Sequence, residues 1–103
     1  MTGEFVAVME SSKLSEGSLV SVDVRGYRIL LTRIAGTVYA VSGTCTHEEA
    51  DLALGFRLED RITCPLHLSQ FDLRTGDVLN PPATEALKSF NAKIEGNTIF
   101  VEV

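Results

Sequence analysis

The chain has 103 residues, of which 45% are hydrophobic, and its formal net charge is −5. This length suits one globular domain, and the apolar content excludes an intrinsically disordered chain. An acidic balance argues against a nucleic-acid partner and suits a basic protein partner. No stretch approaches the roughly 20 apolar residues that a membrane-spanning helix needs, so the composition indicates a soluble protein outside the membrane.

The first residues and the cysteine usage indicate a compartment. Residues 1–4 contain no basic region followed by an apolar run, so we expect no secretory signal. The chain has two cysteines, and free thiolates persist in a reducing compartment. We therefore expect a cytoplasmic protein.

Short apolar segments predict strands through the first part of the chain. Leu19–Val24 alternates, whereas Tyr27–Ile34 is apolar on both faces, as a central strand would be. The expected strands are Phe5–Met9, Leu19–Val24, Tyr27–Ile34 and Val38–Val41. Arg25-Gly26 and Ala35-Gly36 are turn sequences, so the last three strands should form an antiparallel meander. The charged residues Asp23, Arg25 and Arg28 are interpreted as solvated side chains on these strands.

A segment with a different pattern begins at Gly43. Glu59-Asp60 should close a tight hairpin between the strands Phe56–Leu58 and Arg61–Thr63. The apolar residues of this segment are expected to form a small second core: Leu52, Leu54, Phe56, Leu58 and Ile62.

Further short strands and a hairpin are expected in the rest of the chain. Phe71–Leu73 and Val78–Leu79 should flank a turn, and Pro81-Pro82 should form a stiff loop because proline cannot continue a central strand. Gly96-Asn97 is a two-residue hairpin turn between Phe90–Glu95 and Ile99–Val103. The fold class predicted from these elements is all-β, with antiparallel sheets.

Two short boxes contain every cysteine and histidine of the chain: Cys45-Thr46-His47 and Cys64-Pro65-Leu66-His67. Zinc binds such residues, but its common structural sites pair Cys with Cys on one arm and His with His on the other. A [2Fe–2S] cluster with two thiolates on one iron and two imidazoles on the other explains the mixed arms better. A disulfide between Cys45 and Cys64 is a third alternative, but it leaves both histidines unexplained and needs an oxidising compartment.

The two boxes, followed by Leu68–Gly76 and Pro81-Pro82, resemble the Rieske family. The resemblance covers most of the chain and is strongest from Gly43 to Pro82. The chain length is similar to that of the stand-alone Rieske ferredoxins that serve bacterial aromatic-ring dioxygenases. The resemblance implies one Rieske-type [2Fe–2S] cluster, with Cys45 and Cys64 on the inner iron and His47 and His67 on the outer iron.

The resemblance also implies a single Rieske domain over residues 1–103. Its base, an antiparallel sandwich or barrel, would comprise residues 1–42 and 83–103. A small cluster-binding β subdomain, residues 43–82, would be inserted into this base.

The function implied by the resemblance is one-electron transfer. A monomeric carrier would accept electrons from an NAD(P)H-dependent flavin reductase and pass them to a terminal Rieske non-haem iron oxygenase. Once the four ligands are assigned, no set of catalytic side chains remains, so we expect an electron-transfer component and not an enzyme. A Rieske small subunit of another reductase, such as nitrite reductase, and a zinc-stabilised interaction module are the alternatives.

Several sequence features bear on the reduction potential of such a cluster. Neutral imidazoles place Rieske centres at roughly −150 to +300 mV, against about −400 mV for plant-type all-Cys clusters. Relatives with high potentials carry two extra cysteines and a tyrosine, whereas this chain has neither cysteine and has Phe71 at the tyrosine position. Glu48 and Leu68 replace glycines that many relatives have, while Ser69 matches a hydroxyl donor. We expect a potential near the low end, about −150 mV.

Overall fold

The computed structural model describes residues 3–44, 51–64, 69–80 and 85–103. Within these ranges the chain forms strands and two short 3₁₀ helices, Ser11–Lys13 and Leu52–Leu54. The strands are β1 (Phe5–Glu10), β2 (Leu19–Val24), β3 (Tyr27–Ile34), β4 (Thr37–Ser42), β5 (Phe56–Leu58), β6 (Arg61–Thr63), β7 (Gln70–Asp72), β8 (Val78–Asn80), β9 (Ser89–Phe90), β10 (Ala92–Glu95) and β11 (Thr98–Glu102). The predicted all-β class is confirmed.

Among the described residues, no helix has the length and apolar character that crossing a membrane would require.

The strands form three antiparallel sheets. The terminal sheet has the order β1-β11-β10, the meander sheet β2-β3-β4-β9, and the small sheet β5-β6-β7-β8. The predicted meander of β2, β3 and β4 is confirmed, with Leu19 opposite Thr32 and Ile29 opposite Ser42. The small sheet contains the hairpin predicted around Glu59-Asp60, because Leu58 pairs with Arg61.

Strand β3 is the centre of the packing because both of its faces are buried. Successive side chains of a strand point to opposite faces. Ile29 and Leu31 pack in one apolar core with Ile99 of the terminal sheet, whereas Leu30 packs in another core with Ile62 of the small sheet. A strand that is apolar on both faces therefore carries the small sheet on one side and the terminal sheet on the other.

The expected second core of the small sheet is wrong for three of its five residues. Leu52 and Ile62 are buried, but the side chains of Leu54, Phe56 and Leu58 are 74%, 66% and 73% exposed. Phe56 and Leu58 lie on the same face of the edge strand β5, and this face meets solvent. The buried residues of the small sheet do not form a core of their own, since they pack with Leu30 and Val41 of the meander sheet.

The last part of the chain differs from the prediction at one point. The hairpin turn at Gly96-Asn97 is confirmed, since Glu95 pairs with Thr98. The strand predicted to run from Phe90 to Glu95 is interrupted at Asn91. Ser89–Phe90 pairs with β4, and Ala92–Glu95 pairs with β11, so this segment passes from the meander sheet to the terminal sheet.

Candidate metal centre

Cys64 is the one predicted ligand among the described residues. The other predicted residues of the site lie outside the described residues: Cys45, His47, Glu48, His67, Leu68 and Pro81-Pro82. The chain on either side of each of these segments is described. The described residues therefore show where the ligand segments begin and end.

The residues that flank the segment with Cys45 and His47 pair with each other beside β3. Thr44 and Asp51 form an antiparallel bridge. The N–H of Leu52 donates to the carbonyl of Gly43 at 2.8 Å, and the N–H of Gly43 donates to the carbonyl of Arg28 at 2.9 Å. We call residues 43, 44, 51 and 52 the first neck. These bonds hold both ends of the first ligand segment against β3.

The second ligand segment is closed at Cys64 and Ser69. The N–H of Cys64 donates to the carbonyl of Ser69 at 2.8 Å, and both residues are fully buried. One residue further out, Thr63 pairs with Gln70, and the Gln70 side-chain amide donates to the Thr63 hydroxyl at 3.3 Å. His67 therefore belongs to a short segment that connects adjacent ends of β6 and β7.

The residue that precedes Pro81-Pro82 is tied to the same place. The side-chain oxygen of Asn80 accepts a hydrogen bond from the N–H of Gln70 at 2.7 Å. The pairing of β7 with β8 shifts register between Gln70 and Phe71, as at a β-bulge. The proline segment thus begins beside the end of the second ligand segment.

The two ligand segments begin from one packed region. An added Cβ on Gly55 would lie 2.2 Å from the carbonyl oxygen of Thr63, so only glycine allows this approach of the two backbones. Leu52 and Cys64 are also members of the same apolar core. Leu52 of the first neck and Cys64, the first residue of the second box, therefore belong to one packed region.

The environment of Cys64 suits a thiolate ligand of a buried cluster. Cys64 is a free cysteine, fully buried among Leu52, Ile62 and Phe71. The disulfide alternative is therefore not supported. An apolar surrounding limits solvent access to a metal site and so influences its redox potential. The two thiolates and two imidazoles of the sequence, with one thiol placed in this core, fit a [2Fe–2S] cluster.

Charged groups at the opposite end of the small sheet are paired with each other. The guanidinium of Arg74 donates to the carboxylate of Asp60, and this hydrogen bond holds the pKa of Asp60 below its usual value. The same contact raises the pKa of Arg74. The N–H of Leu73 donates to the carbonyl of Asp60 at 2.7 Å. This pair stabilises the turns between strands and lies at the end of β6 opposite to Cys64.

Sequence reasoning missed the polar residues that hold the ligand segments. The prediction that Arg28 is a solvated strand residue is confirmed, since its side chain is 46% exposed, but it does not indicate that the guanidinium lies 3.8 Å from the Asp51 carboxylate. Asn80 had no assigned role. Neither residue has a sequence signal, because each acts on a segment that is distant along the chain.

The chain is similar to ferredoxins of aromatic dioxygenase systems. The Rieske [2Fe-2S] domain family matches residues 4–91. The ferredoxin component of the naphthalene 1,2-dioxygenase system of Pseudomonas aeruginosa is 33% identical over 103 residues, which cover 100% of this chain and 99% of that protein.

Two solved structures have the same fold. The ferredoxin of carbazole 1,9a-dioxygenase from Nocardioides aromaticivorans IC177 has a TM-score of 0.89 and 34% identity, with 95% of this chain and 96% of that chain covered. A structure described as the complex of reduced oxygenase and oxidized ferredoxin in carbazole 1,9a-dioxygenase has a TM-score of 0.89 and 28% identity, with 95% and 92% covered. With its buried thiol, its paired ligand boxes and this match, the chain belongs to the Rieske [2Fe–2S] family and carries a cluster of that type.

Proposed function

We propose that this protein is the ferredoxin component of a bacterial aromatic-ring dioxygenase system. The observation that carries the proposal is the match over the whole chain to a ferredoxin component, at 100% and 99% coverage. The protein would transfer electrons and would not itself oxidise the aromatic substrate. Its electron donor would be an NAD(P)H-dependent flavin reductase, and its acceptor would be a terminal oxygenase.

The oxygenase partner is supported by a relative. The related carbazole ferredoxin is described in complex with its oxygenase. The net charge of −5 suits a basic docking surface on either partner and disfavours nucleic acid. We further propose that the protein is cytoplasmic. We also propose that it is a monomer, because the same charge opposes self-association.

The proposed ligands are Cys45 and Cys64 on one iron and His47 and His67 on the other. When bound, the cluster accepts and releases one electron at a time. Cys64 lies on the buried side, where Leu52, Ile62 and Phe71 exclude water from the thiolate.

We propose that the domain divides as the family does, into a base of residues 1–42 and 83–103 and a cluster-binding subdomain of residues 43–82. The arrangement of the sheets supports this division. The small sheet uses residues 56–80, and the terminal and meander sheets use residues 5–42 and 89–102. The shared core at Leu30 and Ile62 would hold the two parts together.

Reconstitution tests the proposed function. The purified chain is mixed with a flavin reductase, NADH and the terminal oxygenase of a naphthalene system, and formation of the oxidised naphthalene product is measured. We expect product formation that depends on the chain and is lost with the Cys64→Ala variant. Product formation at the same rate without the chain, or with the variant, would contradict the proposal.

A further inference from the structure

Arg28 connects strand β3 with the first neck through its backbone and its side chain. Its carbonyl accepts the N–H of Gly43. Its guanidinium reaches two carboxylates, with Nη1 3.8 Å from Asp51 and Nε 3.5 Å from Asp23. Asp23 lies opposite Arg28 in β2, whereas Asp51 belongs to the first neck. One cation therefore links the meander sheet to the end of a ligand segment.

Gly43 makes room for this arginine. A Cβ on Gly43 would lie 2.9 Å from Cγ of Arg28 and 3.3 Å from the backbone nitrogen of Leu30. Both distances are too short for an ordinary side chain to fit without a shift of its neighbours. The stem of Arg28 thus packs directly on the backbone that leads through Thr44 to Cys45.

Asp51 is held from the other side. One of its carboxylate oxygens accepts the N–H of Ala53 at 3.0 Å, and its backbone pairs with Thr44. Its side chain is 28% exposed, against 75% for Asp23. A carboxylate that is fixed and partly removed from water is screened less by salt than an exposed one. Asp51 should therefore have a larger electrostatic effect than Asp23 on groups near the first neck.

We propose that Arg28 and Asp51 are positioning residues of the redox site, which hold the first neck closed and oppose each other in setting the reduction potential. The inference rests on the proposed ligands, because Thr44 immediately precedes Cys45. Reduction adds one negative charge to the centre. The Arg28 cation favours that change and the Asp51 carboxylate disfavours it, by Coulomb's law.

The sign of the shift in midpoint potential tests the electrostatic part. Arg28→Gln removes the cation and should lower the midpoint, whereas Asp51→Asn removes the anion at nearly constant shape and should raise it. Arg28→Lys keeps the charge and should stay close to the wild type. Asp23→Asn is the matched control, and its shift should be smaller than that of Asp51→Asn because Asp23 is mostly exposed.

Retention of the cluster tests the holding part. With a ferrous chelator in excess, visible absorbance of the Arg28→Gln and Asp51→Asn variants should decay about two to five times faster than that of the wild type, as expected for loss of one partly exposed ion pair. Arg28→Lys should decay at nearly the wild-type rate. If Arg28→Gln retains no cluster, the inference is tested by the other two variants: the midpoint of Asp51→Asn should rise, and that of Arg28→Lys should stay close to the wild type.

The results that would overturn the inference differ from those that would overturn the function. The role of Arg28 and Asp51 would be contradicted if the midpoints of Arg28→Gln and Asp51→Asn shifted with the same sign. It would also be contradicted if midpoints and decay rates were unchanged in both variants. Neither result would contradict the proposed function. A wild-type protein without an iron–sulfur absorption spectrum would contradict the proposed site itself.

Discussion

Cys64 is at once part of the apolar core and a proposed metal ligand. Its thiol is fully buried, and its N–H closes the second ligand segment by bonding to Ser69. Free cysteines in such surroundings often act as small hydrophobic residues. Core packing and metal binding therefore predict different consequences for its replacement, which makes the two separable by experiment.

Replacement of Cys64 by alanine should remove the cluster. Alanine supplies no thiolate, while the meander and terminal sheets retain the core around Ile29 and Ile99. We expect visible absorbance near zero and a far-UV circular dichroism spectrum that retains most of its strand signal. Leu79→Ala is the control, since Leu79 is 42% exposed beside Asn80. Full cluster occupancy in Cys64→Ala would refute its assignment as a ligand.

At the residue scale, the sequence predicts four ligands but does not indicate which residues fix the ends of the ligand segments. Cys45, His47, Cys64 and His67 form two pairs at close spacing, and mixed Cys and His arms restrict the choice of metal. The contact of Arg28 with Asp51 joins distant segments, and charged residues on strands are usually solvated. No local pattern distinguishes this arginine from its neighbours.

The turn between β7 and β8 is hydrogen-bonded to the segment that leads from the small sheet back to the meander sheet. Gly76 has a φ of +86°, and its carbonyl accepts the N–H of Leu87 at 2.7 Å. An added Cβ there would lie 2.2 Å from the carbonyl oxygen of Leu87. Gly76 is therefore required both for its backbone conformation and for the close approach.

Gly76→Ala should destabilise the protein more than Gly36→Ala. Gly36 has a φ of +82° with no atom near its Cβ position, so alanine there meets only the left-handed conformation, at about 1–2 kcal/mol. At Gly76 the steric clash adds to that cost. Urea unfolding of both variants measures the difference in free energy of unfolding, and equal losses in the two variants would contradict the account.

The carboxylate of Glu16 stabilises the turn between β3 and β4. Glu16 accepts the N–H groups of Ala35 at 2.7 Å and Gly36 at 3.0 Å. The hydrogen bond from Gly36 is the largest cause, and that from Ala35 the second, of a pKa of Glu16 below its usual value. Ala35 has a φ of +51°, so these bonds also support an uncommon backbone conformation.

Glu16→Gln should lower the melting temperature at neutral pH but not in acid. A carboxyl group whose folded pKa is depressed stabilises the protein fully above its unfolded pKa, about 4.3 for Glu, and loses this contribution as the pH falls through the folded value. The difference in melting temperature between wild type and variant should therefore shrink below about pH 4. Both proteins carry the same cluster, so its own acid sensitivity cancels in the comparison. A difference that is constant with pH would contradict this role of Glu16.

At the element scale, the sequence predicts the positions of the strands but not which face of β5 is exposed to solvent. Alternation predicts β2, an apolar segment between two turns predicts β3, and both strands have the predicted bounds. The apolar residues of β5 also alternate, but Phe56 and Leu58 face solvent while Arg57, whose Nε atom is buried, lies near Gly17. A pattern of alternation identifies two faces of a strand, and tertiary packing decides which face is covered.

For the molecule as a whole, the charge predicts how partners meet. An acidic carrier associates faster with a basic partner at low ionic strength, and salt screens that attraction as the Debye length falls to about 8 Å at physiological salt. The rate of reduction by the flavin reductase should fall as salt is raised. Stopped-flow measurement over a salt series tests this, and a flat profile would show that apolar contacts govern docking.

The overall architecture could be predicted only in part, because the cores are shared. The sequence predicts an all-β chain, and the family resemblance implies a small inserted sheet. The apolar residues of that sheet are predicted to form a core of their own. Leu30 and Val41 of the meander sheet instead complete the core around Ile62 and Phe71. The apolar residues on both faces of Tyr27–Ile34 predict a central strand, but which sheets cover these two faces depends on contacts between distant segments, which periodicity does not encode.

An optically monitored redox titration of the purified protein tests the central claim most directly. The account predicts an iron–sulfur absorption spectrum that bleaches with one electron per chain, at a midpoint near the low end of the Rieske range, about −150 mV. A colourless protein that contains zinc, or a midpoint of about −400 mV as in all-Cys clusters, would contradict the assignment of two cysteines and two histidines to one [2Fe–2S] cluster.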